Sequence, residues 1–150
     1  MPNWTWSTIS MKGIGKKRLY TNKEFDFNKI VPEPKTMDEC LKKYGKKYID
    51  EGNCHLMHSE EDKWFNWYDW HCDFWGTKWN ATDTAKYDDD TIQITTAWTE
   101  PEEIWKALSK KYPKEKIEIE AEYEDGMMTR STWLNGVRLS YEEEESEWED

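Results

Sequence analysis

The strictest pattern in this sequence is an alternation of apolar residues with glutamates between residues 116 and 124. Its apolar members are Ile117, Ile119, Ala121 and Tyr123. Its glutamates are Glu118, Glu120, Glu122 and Glu124. Because successive side chains of a strand point to opposite faces of a sheet, the pattern predicts a strand with one buried and one solvated face. Such a strand favours a sheet that other elements cover on one side only.

Further strand signals surround this strand. Residues 4–11 and 91–98 alternate in a similar way, with Trp, Thr and Ile at every second position. Asn135-Gly136 lies between the strand-like runs 129–134 and 137–141, and this dipeptide favours the type I′ turn of a β-hairpin. The chain is therefore expected to form an antiparallel sheet.

Three helices are expected to cover that sheet. Apolar residues at helical spacing predict them at about 36–48, 62–75 and 99–112, whereas residues 12–35 are polar and indicate a loop. Each predicted helix begins with a candidate capping pair: Thr36/Glu39, Ser59/Asp62 and Thr99/Glu102. The predicted fold class is α+β, with helices packed on one face of the sheet and the first two helices forming an inserted helical hairpin.

Five short blocks occur in one order along the chain. They are Met1-Pro2-Asn3-Trp4, residues 25–34 (FDFNKIVPEP), residues 67–80 (with WYDW and WGTKWN), residues 96–101 (TAWTEP) and residues 123–127 (YEDGM). In these blocks the chain resembles the YubB-type ferredoxin-like family of small phage and plasmid proteins, over roughly residues 1–128. The resemblance implies a ferredoxin-like βαββαβ fold and a phage or plasmid setting, but no reaction. The chain departs from the family between the first strand and the second block, where the first helix is expected to be shortened or missing.

Charge is unevenly distributed along the chain. The net charge is −11, yet residues 1–50 hold 11 basic and 6 acidic residues, whereas residues 51–150 hold 10 basic and 26 acidic ones. A largely negative body disfavours nonspecific binding to nucleic acid, which depends on Lys and Arg. It favours a partner with a basic surface, because opposite charges speed association. Residues 1–141 are expected to form a single ferredoxin-like domain, and residues 142–150 an acidic C-terminal tail.

The sequence also predicts a compartment. No apolar run approaches the ~18 residues of a membrane span, and no signal-peptide core follows Met1. The three cysteines cannot all pair with one another, which is typical of a reducing compartment. The protein is therefore expected in the cytoplasm of a host cell, with free thiols or a bound metal.

Cysteine and histidine side chains form a candidate structural zinc site. The candidate ligands are Cys40, Cys54, His58 and Cys72, with His55 and His71 as substitutes. An antiparallel helical hairpin would bring Cys40 level with Cys72, and the loop 49–61 could fold back to complete a tetrahedral set. One alternative is that the thiols are small buried hydrophobic groups and the histidines are ordinary. The other is a catalytic zinc in a hydrolase.

The glutamates of the alternating strand form the candidate partner-binding site: Glu118, Glu120, Glu122 and Glu124. On one face of a strand they would lie about 6.8 Å apart, a row of negative charge that could imitate phosphates toward a basic groove. The alternative is an ordinary solvated strand face. The leading hypothesis is a phage-encoded protein that inhibits a host defence factor. An anti-CRISPR protein that blocks nucleic-acid loading fits best, because an RNA-guided nuclease holds its heteroduplex in a positively charged channel.

No catalytic residues are predicted. The chain has no nucleophile elbow, no Gly-rich phosphate loop and no HExxH zinc motif, so we expect a protein that is not an enzyme. Two other functions remain as alternatives. One is a nucleotide- or nucleic-acid-binding module that stacks bases on the Trp-rich helix 64–75. The other is a zinc-dependent hydrolase.

Overall fold

A computed structural model describes residues 3–49 and 64–145 of the chain. Its elements are β1 (Trp4–Ser10), β2 (Tyr20–Thr21), β3 (Glu24–Phe25), α1 (Met37–Tyr44), α2 (Trp67–Phe74), β4 (Thr82–Asp88), β5 (Thr91–Ala97), α3 (Glu102–Lys111), β6 (Ile117–Tyr123), β7 (Met127–Leu134) and β8 (Val137–Glu145). Six of the strands form one antiparallel sheet in the order β4-β5-β1-β6-β7-β8. The short strands β2 and β3 form a separate hairpin.

The predicted α+β, ferredoxin-like fold is confirmed. Taken in chain order, β1, α2, β4, β5, α3 and β6 follow the βαββαβ order of ferredoxin-like folds. β1 lies in the middle of that unit, between β5 and β6, and is antiparallel to both. β7 and β8 then widen the sheet on the β6 side.

The helix between the first two strands of the unit lies later in the chain than the family pattern suggests. No α-helix lies between β1 and the block at residues 25–34, where the described chain holds only short 3-10 turns and the β2–β3 hairpin. The expected shortening at this point is therefore confirmed. The βαββαβ order is nevertheless kept, because α2 follows that block and leads directly into β4.

Two of the predicted helix starts differ from the structure. Thr36 caps α1 as predicted, with its hydroxyl 3.1 Å from the Glu39 amide. α2 is shorter than predicted and is capped by Asn66, whereas the predicted cap Ser59 lies outside the described residues. The Thr99 cap is wrong: α3 begins at Glu102 without a side-chain cap, because the Thr99 hydroxyl instead lies 3.4 Å from the Tyr123 hydroxyl.

Both edges of the sheet extend beyond the predicted strands. The residue pattern does not predict β4, because Thr82–Asp88 is mostly polar and lacks an apolar alternation; in the structure it pairs with β5 through an irregular register. β8 continues to Glu145, so the domain boundary predicted at residue 141 falls inside a strand. Residues 142–145 are strand rather than tail because they stay in register with β7, from Arg130↔Glu142 to Met127↔Glu145. Residues 146–150 lie outside the described part.

The helices cover one face of the sheet. The apolar side chains of β6 alternate with exposed glutamates, as predicted, and join the buried isoleucines of β1 and β5. Against them pack Ile104, Trp105 and Leu108 of α3, together with Trp70 of α2. The predicted hairpin turn is also confirmed, because Asn135 and Gly136 both have the positive φ values that a type I′ turn requires, 47° and 81°. Among the helices of the described residues, none is long and apolar enough to cross a bilayer.

Candidate functional site

The sheet face opposite the helices carries polar side chains from four strands, and we call it the open face. Strand register places its members side by side. Its polar members are Thr8 and Ser10 of β1, Glu118, Glu120 and Glu122 of β6, Arg130 and Thr132 of β7, and Ser140, Glu142 and Glu144 of β8, and the apolar Trp6 of β1 and Met128 of β7 lie among them. Side chains alternate between the two faces along each strand. The intervening residues of β6 and β7 are buried under the helices, so the polar residues are left on the open face.

The open face is strongly acidic. Five carboxylates from two strands surround a single guanidinium, that of Arg130. Arg130 contacts Glu120 at 3.4 Å and Glu144 at 3.7 Å, and all three side chains are about half exposed. Exposed ion pairs of this kind contribute about 0–1 kcal/mol and are screened by salt. The Lys116 ammonium also lies 3.8 Å from Glu118, so five carboxylates against two cations leave the face with an excess of three negative charges.

A shallow hollow lies at the centre of the open face. Its volume is about 320 Å³, and Thr8, Ser10, Thr132 and Ser140 line it together with Glu118, Glu120, Glu142 and Arg130. Hydroxyl and carboxylate oxygens accept hydrogen bonds, so this lining suits the donor groups of Lys or Arg side chains. The arrangement can therefore hold basic side chains by charge-assisted hydrogen bonds.

Three of the four predicted partner-binding glutamates lie on the open face. Glu118, Glu120 and Glu122 are exposed on β6, whereas Glu124 is exposed but follows the last residue of that strand. Sequence reasoning missed Glu142 and Glu144, because it assigned them to a tail. The signal that could have found them is the Asn135-Gly136 turn, since a tight hairpin returns the chain antiparallel to β7 and sets the register of β8.

The predicted zinc ligands are only partly within the described residues. Cys54, His55 and His58 lie outside them. Cys40 is a buried free thiol and Cys72 a partly buried one, and burial raises the pKa of both. No group of three or more Cys, His, Asp or Glu side chains that could hold a metal lies within residues 3–49 and 64–145. The structural zinc site stays a prediction, and metal analysis of protein purified without chelators tests it.

Both ring nitrogens of His71 lie within hydrogen-bond distance of other groups in the same chain. Its Nδ1 lies 2.7 Å from the Lys78 carbonyl oxygen, and its Nε2 lies 2.8 Å from a Glu33 carboxylate oxygen. The ring is buried and stacks on Trp75 at 4.0 Å between centroids. Both ring nitrogens are therefore used inside the fold, and His71 would have to break one of these contacts to act as a substitute zinc ligand.

The WGTKWN block joins distant parts of the chain. The Trp75 indole N–H donates to the Val31 carbonyl at 2.9 Å, and the Thr77 hydroxyl donates to the Ala97 carbonyl at 2.6 Å. Asn80 accepts from the Phe27 amide at 2.9 Å and donates to Asp26 at 2.8 Å. Most of these polar groups are wholly or partly buried, so the bonds matter for stability. Three of the five blocks, residues 25–34, 67–80 and 96–101, are thus joined to one another by these hydrogen bonds.

Gly76 has a steric role in the WGTKWN block. Its φ is +79°, and a Cβ built there would lie 3.2 Å from the Glu103 amide nitrogen and 3.3 Å from that of Glu102. We expect Gly76→Ala to lower the free energy of unfolding by about 2–4 kcal/mol, from left-handed strain plus overpacking against α3. Gly13→Ala is the matched control, because Gly13 has a left-handed backbone (φ +71°, ψ 12°) with open space around it. Urea denaturation of both variants measures the difference, and equal losses would contradict the steric role.

The Trp-rich helix is part of the core. Trp67, Trp70 and Trp75 are 8%, 0% and 1% exposed. Base stacking on these rings, as the nucleic-acid alternative requires, would therefore need the helix to leave the sheet. The exposed rings lie elsewhere: Trp79 and Trp98 flank the Lys78 ammonium at 4.4 and 4.9 Å.

A buried carboxylate escaped the sequence analysis. Glu100 is 3% exposed and accepts hydrogen bonds from the Trp105 indole N–H at 2.9 Å, the Tyr123 hydroxyl at 2.8 Å and the Thr129 hydroxyl. Burial raises the pKa of Tyr123, and neighbouring Glu100 raises it further, so the phenol remains a donor. Glu100 links the start of α3 to β6 and β7. No local sequence pattern marks Glu100 as buried, because tertiary packing alone buries it.

Comparison with known proteins agrees with this fold. A family model described as "Ferredoxin-like domain in Api92-like protein" matches residues 74–150, just over half of the chain and a range that includes α3 and β4 to β8. The chain is also similar to the crystal structure of a protein api92 from Yersinia pseudotuberculosis, with 14% identity and a TM-score of 0.42. That similarity covers 53% of this chain and 30% of the other. No curated protein matches the chain.

Proposed function

We propose that this chain, which belongs to the family of the ferredoxin-like domain in Api92-like protein, is a non-enzymatic protein that binds a basic surface of a host protein through its open face. The proposed partner is a bacterial defence factor with a basic nucleic-acid channel, in the first place an RNA-guided CRISPR nuclease. In this proposal the chain is phage-encoded, as its YubB-type resemblance implies, and it acts in the host cytoplasm as an anti-CRISPR protein.

A single observation carries the proposal: five carboxylates of β6 and β8 lie around Arg130 on a sheet face that no helix of residues 3–49 and 64–145 covers. Their spacing is about 6.8 Å along a strand and about 9.6 Å across the sheet from β6 to β8, because β7 lies between these strands and each step is about 4.8 Å. A channel that binds a guide heteroduplex offers Lys and Arg to rows of phosphates. The open face offers such a channel a comparable array of negative charge, and its central hollow accepts hydrogen bonds from the same side chains.

Reversing charge on the open face should weaken partner binding. We expect Glu118→Lys combined with Glu122→Lys to raise the dissociation constant at least about tenfold at low salt, because both attraction and steering are lost. Both glutamates are exposed, so the fold should be unaffected. The measurement is capture of host proteins on the immobilised full chain at low and moderate salt, followed by mass spectrometry and an affinity titration of the captured partner.

The matched control carries the same change in net charge away from the open face. Asp38→Lys with Glu103→Lys serves this purpose, because both residues are exposed in the first turns of α1 and α3. We expect this variant to bind within about threefold of the original chain, since remote exposed charges are screened within about 8–10 Å. Equal loss in both double variants, or affinity that is independent of salt, would contradict the proposal.

A further inference from the structure

β8 is an edge strand with a free side. Among the described residues it pairs with β7 alone, along Val137–Glu145, and each of its nine residues is exposed. Alternate residues of such an edge point their N–H and C=O groups away from the sheet, where another extended segment can pair with them. The length of β8 exceeds the usual five or six residues of a strand, so several backbone pairs are available.

The side chains along β8 change from mainly apolar at its first residues to acidic at its last four. Val137 and Leu139 are 57% and 55% exposed, whereas Glu142–Glu145 are four consecutive carboxylates. Register with β7 places Glu142 and Glu144 on the open face, opposite Arg130 and Met128. The other two glutamates lie on the opposite side, since side chains alternate along a strand. An added strand would thus meet carboxylates above and below it at one end, and apolar side chains at the other.

We propose that β8 accepts an extended, basic segment of the partner protein as a seventh strand of the sheet. This inference rests on the proposed function and specifies how the partner docks, by strand addition beside the open face. In an antiparallel arrangement, Lys and Arg of the segment lie opposite residues 142–145 and apolar residues lie opposite residues 137–139. Charge favours this occupant over a second copy of the chain, because each copy carries a net charge of −11 and two copies repel each other.

Backbone N-methylation of a peptide tests this inference. The probe is Lys-Arg-Lys-Arg-Thr-Thr-Val-Thr-Val, titrated into the full chain at low salt and compared with two isomers, one N-methylated at positions 2, 4, 6 and 8 and the other at positions 3, 5, 7 and 9. The isomers have the same charge and the same side chains. Because only one edge of an added strand pairs with β8, we expect one isomer to bind at least tenfold more weakly and the other to match the parent. Equal affinity of the two isomers would overturn the inference.

Hydrogen exchange separates this inference from the proposed function. With the captured partner bound, we expect slower exchange of backbone amides within Val137–Glu145, whose outward groups become paired. If Glu118→Lys with Glu122→Lys weakens capture while the β8 amides stay unprotected, the edge inference is wrong and the open-face proposal stands. If β8 becomes protected but that variant binds the partner as tightly as the original chain, the open-face proposal is wrong instead.

Discussion

Replacing Glu100 with alanine is expected to lower the free energy of unfolding by about 3–5 kcal/mol. The carboxylate is 3% exposed and accepts from three side chains, those of Trp105, Tyr123 and Thr129. Its removal leaves those donors without an acceptor in the interior, and each unsatisfied buried group costs about 1–3 kcal/mol. The loss should also loosen the start of α3 against β6 and β7, because Glu100 connects these elements.

The measurement is urea denaturation, with the requirement that the slope of the unfolding free energy against urea concentration is the same for all variants. Glu100→Gln should fall between the original chain and the alanine variant, since the amide keeps one accepting oxygen but places a donor where the other was. Glu103→Gln, in an exposed position of the same helix, should change the free energy of unfolding by less than about 0.5 kcal/mol. A Glu100→Ala variant as stable as Glu103→Gln would show that the buried carboxylate contributes nothing.

Replacing Trp75 with alanine is the second substitution for which we expect a large effect, again about 3–5 kcal/mol. The side chain is 1% exposed, stacks on His71 at 4.0 Å and contacts Phe27 edge-on at 5.5 Å between ring centroids. Its N–H also donates to the Val31 carbonyl at 2.9 Å. Alanine leaves a cavity in the core and an unpaired carbonyl, so both the packing and the hydrogen-bond contributions are lost.

Two further substitutions separate those contributions. Trp75→Phe keeps an aromatic ring but removes the N–H, and it should lose less than the alanine variant. Trp79→Ala, five residues after α2 in the same block and 36% exposed, should lose about 1 kcal/mol or less. If Trp79→Ala proved as destabilising as Trp75→Ala, the core role assigned to Trp75 would be wrong.

Parts of the fold with local causes could be predicted from the sequence. The alternation from Ile117 to Tyr123 predicts β6 and the acidity of one of its faces, because strand periodicity is a local property. Asn135-Gly136 predicts the β7–β8 hairpin, since its positive φ values are favoured by these residue types. The Thr36 cap was predicted for the same reason, as it depends on one side chain and an amide three residues later.

The parts that escaped prediction depend on tertiary packing. β4 lacks an apolar alternation, because it lies at the edge of the sheet and is held by pairing with β5. Glu100 begins the acidic run Glu100-Pro101-Glu102-Glu103. No neighbouring residue in the sequence indicates that the first of these carboxylates is buried. The extent of the open face could not be predicted either, because Glu142 and Glu144 join it only through their register with β7.

The most direct test of the open-face proposal is competition between this chain and nucleic acid for an RNA-guided nuclease. The measurement is the affinity of the full chain for the captured nuclease, first with its channel empty and then with a guide–target heteroduplex bound. We predict tight, salt-sensitive binding to the empty nuclease and at least about tenfold weaker binding to the filled one, because both occupants need the same Lys and Arg side chains. Equal affinity for the two forms would contradict the proposal that the acidic open face occupies a nucleic-acid channel.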